Sequence, residues 1–427
     1  MSPRHEYLAL TVCIAATGCA PDPPEATVSD EARACAEDNG GITLPAGFCA
    51  SVFADGVGPA RHIAVREDGV VFVNLQSRDA QGWGGLLMLI DGDGDGVADD
   101  SARIEEIAGA TGVILHGDVI YASSPTSVER VRVPLGTMEA EGDVETVVAH
   151  VPRSCCSAGT HQAKPLVLRD GWIYLNVGSP DNACAPAHGQ PGMDPCALLD
   201  TTAGIWRFRV DGLNQLQADG ERYATGSRNV VGLVLGPDGF LYGVQHGRDM
   251  LSAWGFSAED NAEKPAEEML RIEQGDDFGW PYCYYDGQLE RKVLAPEYGG
   301  DGEVTGRCAE KKDPVAYFPG HWGPHAITFY EADAFPERYR GGAFIAFHGS
   351  WNRAPLPQGG YNVVFVPFAE GEPAGGWEVF ADGFAGADVS PSGAAHRPAG
   401  VAVGPDGALY VSDDRGGRIW RIVHTGE

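Results

Sequence analysis

The 427-residue chain carries 60 acidic against 30 basic side chains, a formal charge of −30, and 43% of its residues are hydrophobic. That apolar fraction supports a sizeable core, while so negative a surface repels phosphate and argues against nucleic acid and anionic membrane as partners. The 59 glycines and 29 prolines point to many turns rather than long helices.

The first element is a short apolar stretch from Tyr7 to Ala16, followed by Thr17-Gly18-Cys19. It is too short to span a bilayer but fits the apolar region of a signal peptide. The small residues before Cys19 resemble the lipobox of bacterial lipoproteins, whose cysteine is lipidated after cleavage. Residues 1–18 are therefore expected to direct export, and Cys19 to carry a lipid. The acidic, Pro-rich run to residue 43 is expected to be a tether, ahead of a folded unit over 44–427. This reading places the protein in the periplasm or at the outer membrane, touching a membrane through its lipid anchor only.

Beyond Cys13 and Cys19 lie eight cysteines, an even number that suggests disulfides in an exported chain. Proximity favours Cys35–Cys49, Cys184–Cys196 and Cys283–Cys308, leaving Cys155 and Cys156 for each other; spacing alone does not fix the connectivity. No CxxC or CxxCH is present, which excludes a thioredoxin-like centre and a standard c-type haem.

After the tether one phrase recurs. It begins at Ala60 ("ARHIAVREDGVVFVNLQS"), Ala110, His161, Ser227, Gly323 and His396 ("HRPAGVAVGPDGALYVSDD"). Each copy is an apolar strand, a tight turn that often carries Asp-Gly, and a second strand of alternating aromatic and β-branched residues. Segments such as "GGLLMLID" and "GRIWRIV" supply a third strand. Six copies about 50 to 95 residues apart predict an all-β, six-bladed β-propeller, with long insertions in blades four and five. The early strand "GFCASVFADGV" is expected to pair with the last blade and close the ring. Within blade one, "DGDGDGVADD" spaces Asp91, Asp93, Asp95 and Asp99 like a calcium loop, but no helix flanks it and no Glu closes it at position twelve. Structural calcium and a solvated acidic turn both remain open there.

Propeller geometry gathers the residues that head each repeat: Arg61, Thr111, His161, Arg228–Asn229, His325 and Arg397. A ring of His, Arg and Asn in so acidic a protein points to a site for an anionic ligand.

The phrases "THQAKPLVL", "GSRNVVGL", "EEMLRIEQGDDFGWPYC", "FPERYRGGAFIAFHGSWNR" and "HRPAGVAVGPDGALYVSDD" occur in this order, and the chain from Leu44 to Val423 resembles the quinoprotein glucose/sorbosone dehydrogenases, in particular their sorbosone-like branch. These are propeller oxidoreductases that use pyrroloquinoline quinone (PQQ). The resemblance implies oxidation of an aldose or related aldehyde/hydroxy sugar, with electrons passed to a separate quinone or cytochrome. It makes His161 the general base that takes the substrate hydroxyl proton, a role suited to imidazole. Arg228 and Asn229 would bind PQQ near its reactive carbonyls, with Arg228 stabilising developing negative charge. Arg353 and Arg397 would hold PQQ carboxylates. A catalytic Ca2+ is implied in the loop "VQHGRDM", on the backbone carbonyls of Gly247 and Arg248, with Glu267 and Glu268 nearby.

One departure stands out: the second-blade loop has Ala110 and Thr111 where an amide side chain is expected. Cys155 and Cys156 precede His161 and read as structural disulfide partners rather than catalytic thiols. Two other readings compete with the enzyme. One is an inactive propeller that binds carbohydrate or protein. The other, a lactonase-type hydrolase, needs inward carboxylates where this ring is basic.

Overall fold

The structure is a computed structural model that describes residues 35–77, 82, 84–152 and 161–426. The hairpin phrases fold as expected because their turns are chemically specified. In blades one, four and six the turn aspartate accepts a hydrogen bond from the backbone N–H two residues on: Asp68 from Val70, Asp238 from Phe240 and Asp406 from Ala408. The glycine that follows each, Gly69, Gly239 and Gly407, takes a positive φ of 79–86° that a side chain would resist. In blade three, Asp170 and Gly171 both adopt positive φ, and Arg169 pairs with Trp172 across a two-residue turn.

Six four-stranded antiparallel sheets result. Their innermost strands are Ala60–Val65, Val113–His116, Leu166–Arg169, Val230–Leu235, Pro324–Phe329 and Pro398–Val403. The sixth sheet takes its outer strand, Phe48–Ala54, from the start of the chain, where Phe48 pairs with His424 and Val52 with Trp420. This is the predicted closure of the six-bladed ring. The one α-helix among the described residues, Ala258–Glu263, lies in the blade-four insertion.

Burial explains why the blades stay together. A single sheet has two apolar faces and cannot cover both, so neighbouring blades share a core. The hydrophobic clusters divide accordingly, one per blade boundary. Phe72 and Met88 meet Ile120 and Val131 between blades one and two, and Tyr242 and Met269 meet Ile345 and Val364 between four and five. At the boundary between blades five and six Phe48 makes edge-on contacts with Phe335, Tyr339 and Phe380, so the N-terminal strand is fixed by packing as well as by its ladder.

Three disulfides join Cys35–Cys49, Cys184–Cys196 and Cys283–Cys308, the pairings that sequence proximity favours. Cys155, Cys156 and Cys19 lie outside the described residues. The expected tether needs a correction. Residues 35–43 belong to the propeller: Ala36 N–H bonds the Ala50 carbonyl, Thr43 bridges Asp382, and the Gly40 carbonyl accepts from the Trp420 indole. A Cβ on Gly40 would meet the Val52 side chain at 2.7 Å and the Trp420 ring at 2.9 Å, which is how closely this segment is packed.

The aspartate-rich run is the turn between Leu86–Ile90 and Asp100–Ile104. The Asp91, Asp93 and Asp99 carboxylates converge within 4.8 Å of one another, while Asp95 caps the Val97 N–H at 2.8 Å. Asp91 accepts from Gly94 and Gly96 N–H, so the turn is also self-bonded.

Candidate active site

The inner strands enclose a narrow central channel, and a wider cavity of about 670 Å³ opens at the end where those strands begin. All seven repeat-heading residues line it: Arg61, Thr111, His161, Arg228, Asn229, His325 and Arg397. Its volume lies in the range of sites for cofactors and small ligands.

His161 sits in the loop five residues ahead of the first strand of blade three, with a left-handed φ of 58°. Its Nδ1 lies 2.9 Å from the Ser179 carbonyl and 3.0 Å from Ser179 Oγ. A carbonyl only accepts, so Nδ1 carries the ring proton and Nε2 keeps its lone pair. Gly178 makes this approach possible, since a Cβ there would meet the His161 carbonyl at 2.8 Å. Burial, then the nearby Arg228 charge, hold the His161 pKa well below the usual imidazole value. The site therefore contains a neutral base with a fixed tautomer.

Arg228 is buried and directed by two acceptors, the Gly247 carbonyl and Asp249 Oδ2, each at 2.7 Å. Its Nε is buried without a protein partner, as are Arg61 Nε, Asn229 Oδ1, His246 Nε2 and His325 Nδ1. Arg61 is held through Nη1 by Asp414 at 2.7 Å. Arg397 gives Nε and Nη2 to the His348 and Gly349 carbonyls, and no described residue bonds its Nη1. Buried polar atoms are rarely left unpaired. The open guanidinium N–H donors of Arg61 and Arg228, on a cavity lined by three arginines, suit a polyanionic, carbonyl-bearing ligand such as PQQ, while the Asn229 oxygen is left to accept.

Arg353 must be taken off the list of ligand-binding residues. It does not line the cavity; its guanidinium is consumed by the Ala262, Gly320 and Pro357 carbonyls and by Glu263. Of the two expected carbonyl donors only Gly247 lines the cavity and Arg248 does not; the Arg248 side chain separately pairs with Glu297 at 2.6 Å. Strand alternation separates the two glutamates. Glu267 faces the cavity, whereas Glu268 turns away to pair with Lys292 at 2.8 Å and Gln245 at 3.0 Å.

Sequence reasoning missed several lining residues. The lining includes amides that the sequence reading did not name, Gln76 of the first-blade loop and Gln162 beside His161. Asp249, two residues after Gly247, is pulled below the ordinary carboxylate range because Arg228 and His321 outweigh its burial. Burial opposes a charge on His321, but Asp249 at 3.2 Å raises its pKa overall. Burial pushes Glu267 up to about 7. The Gly247 carbonyl, Asp249 and Glu267 thus put oxygen donors of the kind calcium prefers along one wall.

His246, His325 and His348 stack face to face, the last two with ring centroids 4.0 Å apart and planes 16° apart. Ligating atoms of His325, His348 and Asp414 lie within 4.8 Å of one another. Imidazole lone pairs lie in the ring plane, so two nearly parallel rings cannot both aim at one ion. The column reads instead as a flat, neutral wall of the cavity.

These neutral imidazoles make a stability prediction for the ligand-free protein. Burial is the largest cause lowering His62, to about 4, His246, to about 3, and His161 and His325, both well below 6.5. As the pH falls through about 6.5 the unfolded chain protonates all four before the folded chain does. Glu267 opposes them, since its folded form keeps a proton that the unfolded form has lost. The lowered imidazoles, His348 among them, outnumber the one carboxyl, so unfolding takes up protons and stability should fall on acidification. Urea unfolding at pH 7 and 5.5 checks this, and equal midpoints would contradict it.

A family model described as TrAA12-like matches residues 42–425. An uncharacterized protein of Borreliella burgdorferi is 31% identical over 208 residues, which is 48% of this chain and 49% of that one. A pyrroloquinoline quinone-dependent pyranose dehydrogenase of Coprinopsis cinerea is 26% identical over 296 residues, 58% of this chain and 37% of the relative. The chain thus spans half or less of the length of these curated relatives. Among solved structures, the holo PQQ domain of the Coprinopsis enzyme superposes with TM-score 0.71 at 21% identity, covering 90% of this chain and 97% of that one. A calcium structure of the Trichoderma reesei carbohydrate-active enzyme family AA12 gives 0.73 at 20% identity with the same coverage. The order of the motifs, the six-bladed ring and the match over nearly the whole described propeller agree, and the chain belongs to the TrAA12-like family.

Proposed function

We propose that this protein is an exported PQQ-dependent dehydrogenase that oxidises a pyranose or related aldose and passes the electrons to a separate quinone or cytochrome. The observation that carries the reading is the convergence of Arg61, Arg228, Arg397 and a neutral, tautomer-fixed His161 on one cavity. The names of the Coprinopsis relative and its PQQ domain support the cofactor and the substrate class. Export and a lipid on Cys19 belong to the same reading and rest on the N-terminal sequence.

When bound, PQQ supplies the two-electron acceptor for a hydride. The protein supplies the rest. Arg61, Arg228 and Arg397 offer charge-assisted donors to carboxylates and carbonyls, and Asn229 offers an amide. Calcium would be held by the Gly247 carbonyl with help from Asp249 and Glu267. His161 Nε2 accepts the proton of the substrate hydroxyl, and Ser179 keeps the ring oriented while it does so.

The competing reading, an inactive binding propeller, drew its support from the missing amide of the second blade. Gln76 and Gln162 put amides on the cavity wall and so favour the enzyme over that reading. The deciding experiment titrates the full chain with PQQ, with and without Ca2+, and follows quinone absorbance as a panel of aldoses is added. Calcium-dependent binding followed by sugar-driven bleaching is the expected result. No PQQ binding at micromolar concentration would sink the enzyme and leave the binding propeller.

A further inference from the structure

We propose that Trp351 is the platform on which a pyranose ring stacks at the cavity, and that it sets a preference for cyclic over open-chain substrates. The proposal rests on the dehydrogenase reading above and deepens it. Trp351 is 58% exposed, the most exposed large hydrophobic side chain among the described residues and the sole aromatic one in that group. It lines a cavity whose other walls are mainly charged or polar. What sets it apart from a scattered surface side chain is its place on the cavity wall, where an open indole face can meet a ligand.

The loop around it is built for presentation. Immediately before Trp351, Ser350 is fully buried, with its carbonyl accepting from Tyr361 OH at 2.8 Å and its Oγ bonded to Gln358 at 2.7 Å. Gly349 lies against the Tyr361 ring, where a Cβ would come within 2.2 Å, and its carbonyl is held by Arg397. On the other side the Asn352 carbonyl accepts from Asn261, and Arg353 is clamped by three carbonyls and Glu263. The residues on both flanks are therefore fixed, and the backbone that carries the indole is preorganised. This gives Arg353 a role: it positions the loop and does not touch the ligand.

The rest of the lining fits a sugar. Gln76, Ser124, Thr126 and Gln162 come from blades one to three, across the ring from blade five, which carries Trp351. Amides and hydroxyls opposite an aromatic face match a pyranose, with its rim of hydroxyls and its apolar C–H face.

The test uses Trp351→Ala and Trp351→Phe in the full chain. With PQQ and Ca2+ loaded, Trp351→Ala should lose at least tenfold in kcat/KM for pyranoses, mostly through KM, while oxidation of glyceraldehyde and the PQQ Kd stay within threefold. Trp351→Phe should recover most of the pyranose activity. Equal losses on pyranose and glyceraldehyde, or no loss on either, overturn the proposal. Unchanged reduction by sugar with slowed transfer to a protein acceptor also overturns it, and marks Trp351 as a docking surface instead. A second readout needs no turnover. Adding the pyranose should change tryptophan emission in the wild type but not in Trp351→Phe, while calorimetry still detects sugar binding to that variant. If the emission change is seen and no sugar is oxidised, the dehydrogenase reading fails and the stacking platform stands; if emission is unaffected, the platform fails.

Discussion

Substituting His161 by alanine should lower kcat by ~10²–10⁴-fold and leave PQQ affinity within a few-fold of wild type. The magnitude follows from what the side chain is positioned to do. Ser179 holds Nδ1–H, so removing the ring deletes a tautomer-fixed base without disturbing a charge that holds an anion. Arg61, Arg228 and Arg397 keep their own acceptors in this variant. The pH profile gives an independent check. Burial and Arg228 disfavour the imidazolium, so His161 remains an unprotonated base well below pH 6.5. The acid limb of kcat/KM should accordingly lie below the ordinary imidazole value. A limb at 6.5 or above would assign the proton to another group. Added imidazole should restore part of the alanine variant's rate, which a merely structural loss would not allow.

The sequence made the ring legible because each blade repeats the same local chemistry. Asp-Gly turns at Asp68, Asp238 and Asp406, flanked by alternating apolar strands, carry the hairpin signal without tertiary context. Once the repeat is read, the topology gathers its first residues, and all seven predicted heads line the cavity. What the pattern could not supply is the direction of side chains in irregular loops. Arg353 and Arg248 sit in motifs beside the site, yet each is used to tie a loop down. Gln76 was missed for the opposite reason, since it lies at the close of the first repeat phrase, past the end of a strand, and the ring was read from the residues that head each repeat. Asp249 carries little signal in "GRDM", because its importance comes from Arg228, twenty-one residues away, and His321, seventy-two residues away. The Cys35–Cys49 tie placed the start of the fold earlier than composition suggested, since Pro and acidic residues read as tether whether or not a disulfide anchors them.

Arg228 offers the sharpest separation of stability from ligand binding. Arg228→Met removes the charge that faces Asp249 at 2.7 Å, and that carboxylate is largely buried. An unpaired buried charge costs about 3–5 kcal/mol, and the low end is expected here because His321 still faces Asp249 at 3.2 Å. The Asp249 pKa should rise in this variant, so part of the lost stability should return as pH falls and the carboxyl takes up a proton. PQQ affinity should fall by about 10- to 150-fold, the equivalent of one charge-assisted hydrogen bond at 1.5–3 kcal/mol. The double variant Arg228→Met/Asp249→Asn neutralises both partners. It should regain most of the unfolding free energy, because no uncompensated charge remains. Its PQQ affinity should stay low, because no guanidinium is restored. If affinity returns together with stability, Arg228 acts only through the fold, and the anion must be held by Arg61 and Arg397 alone.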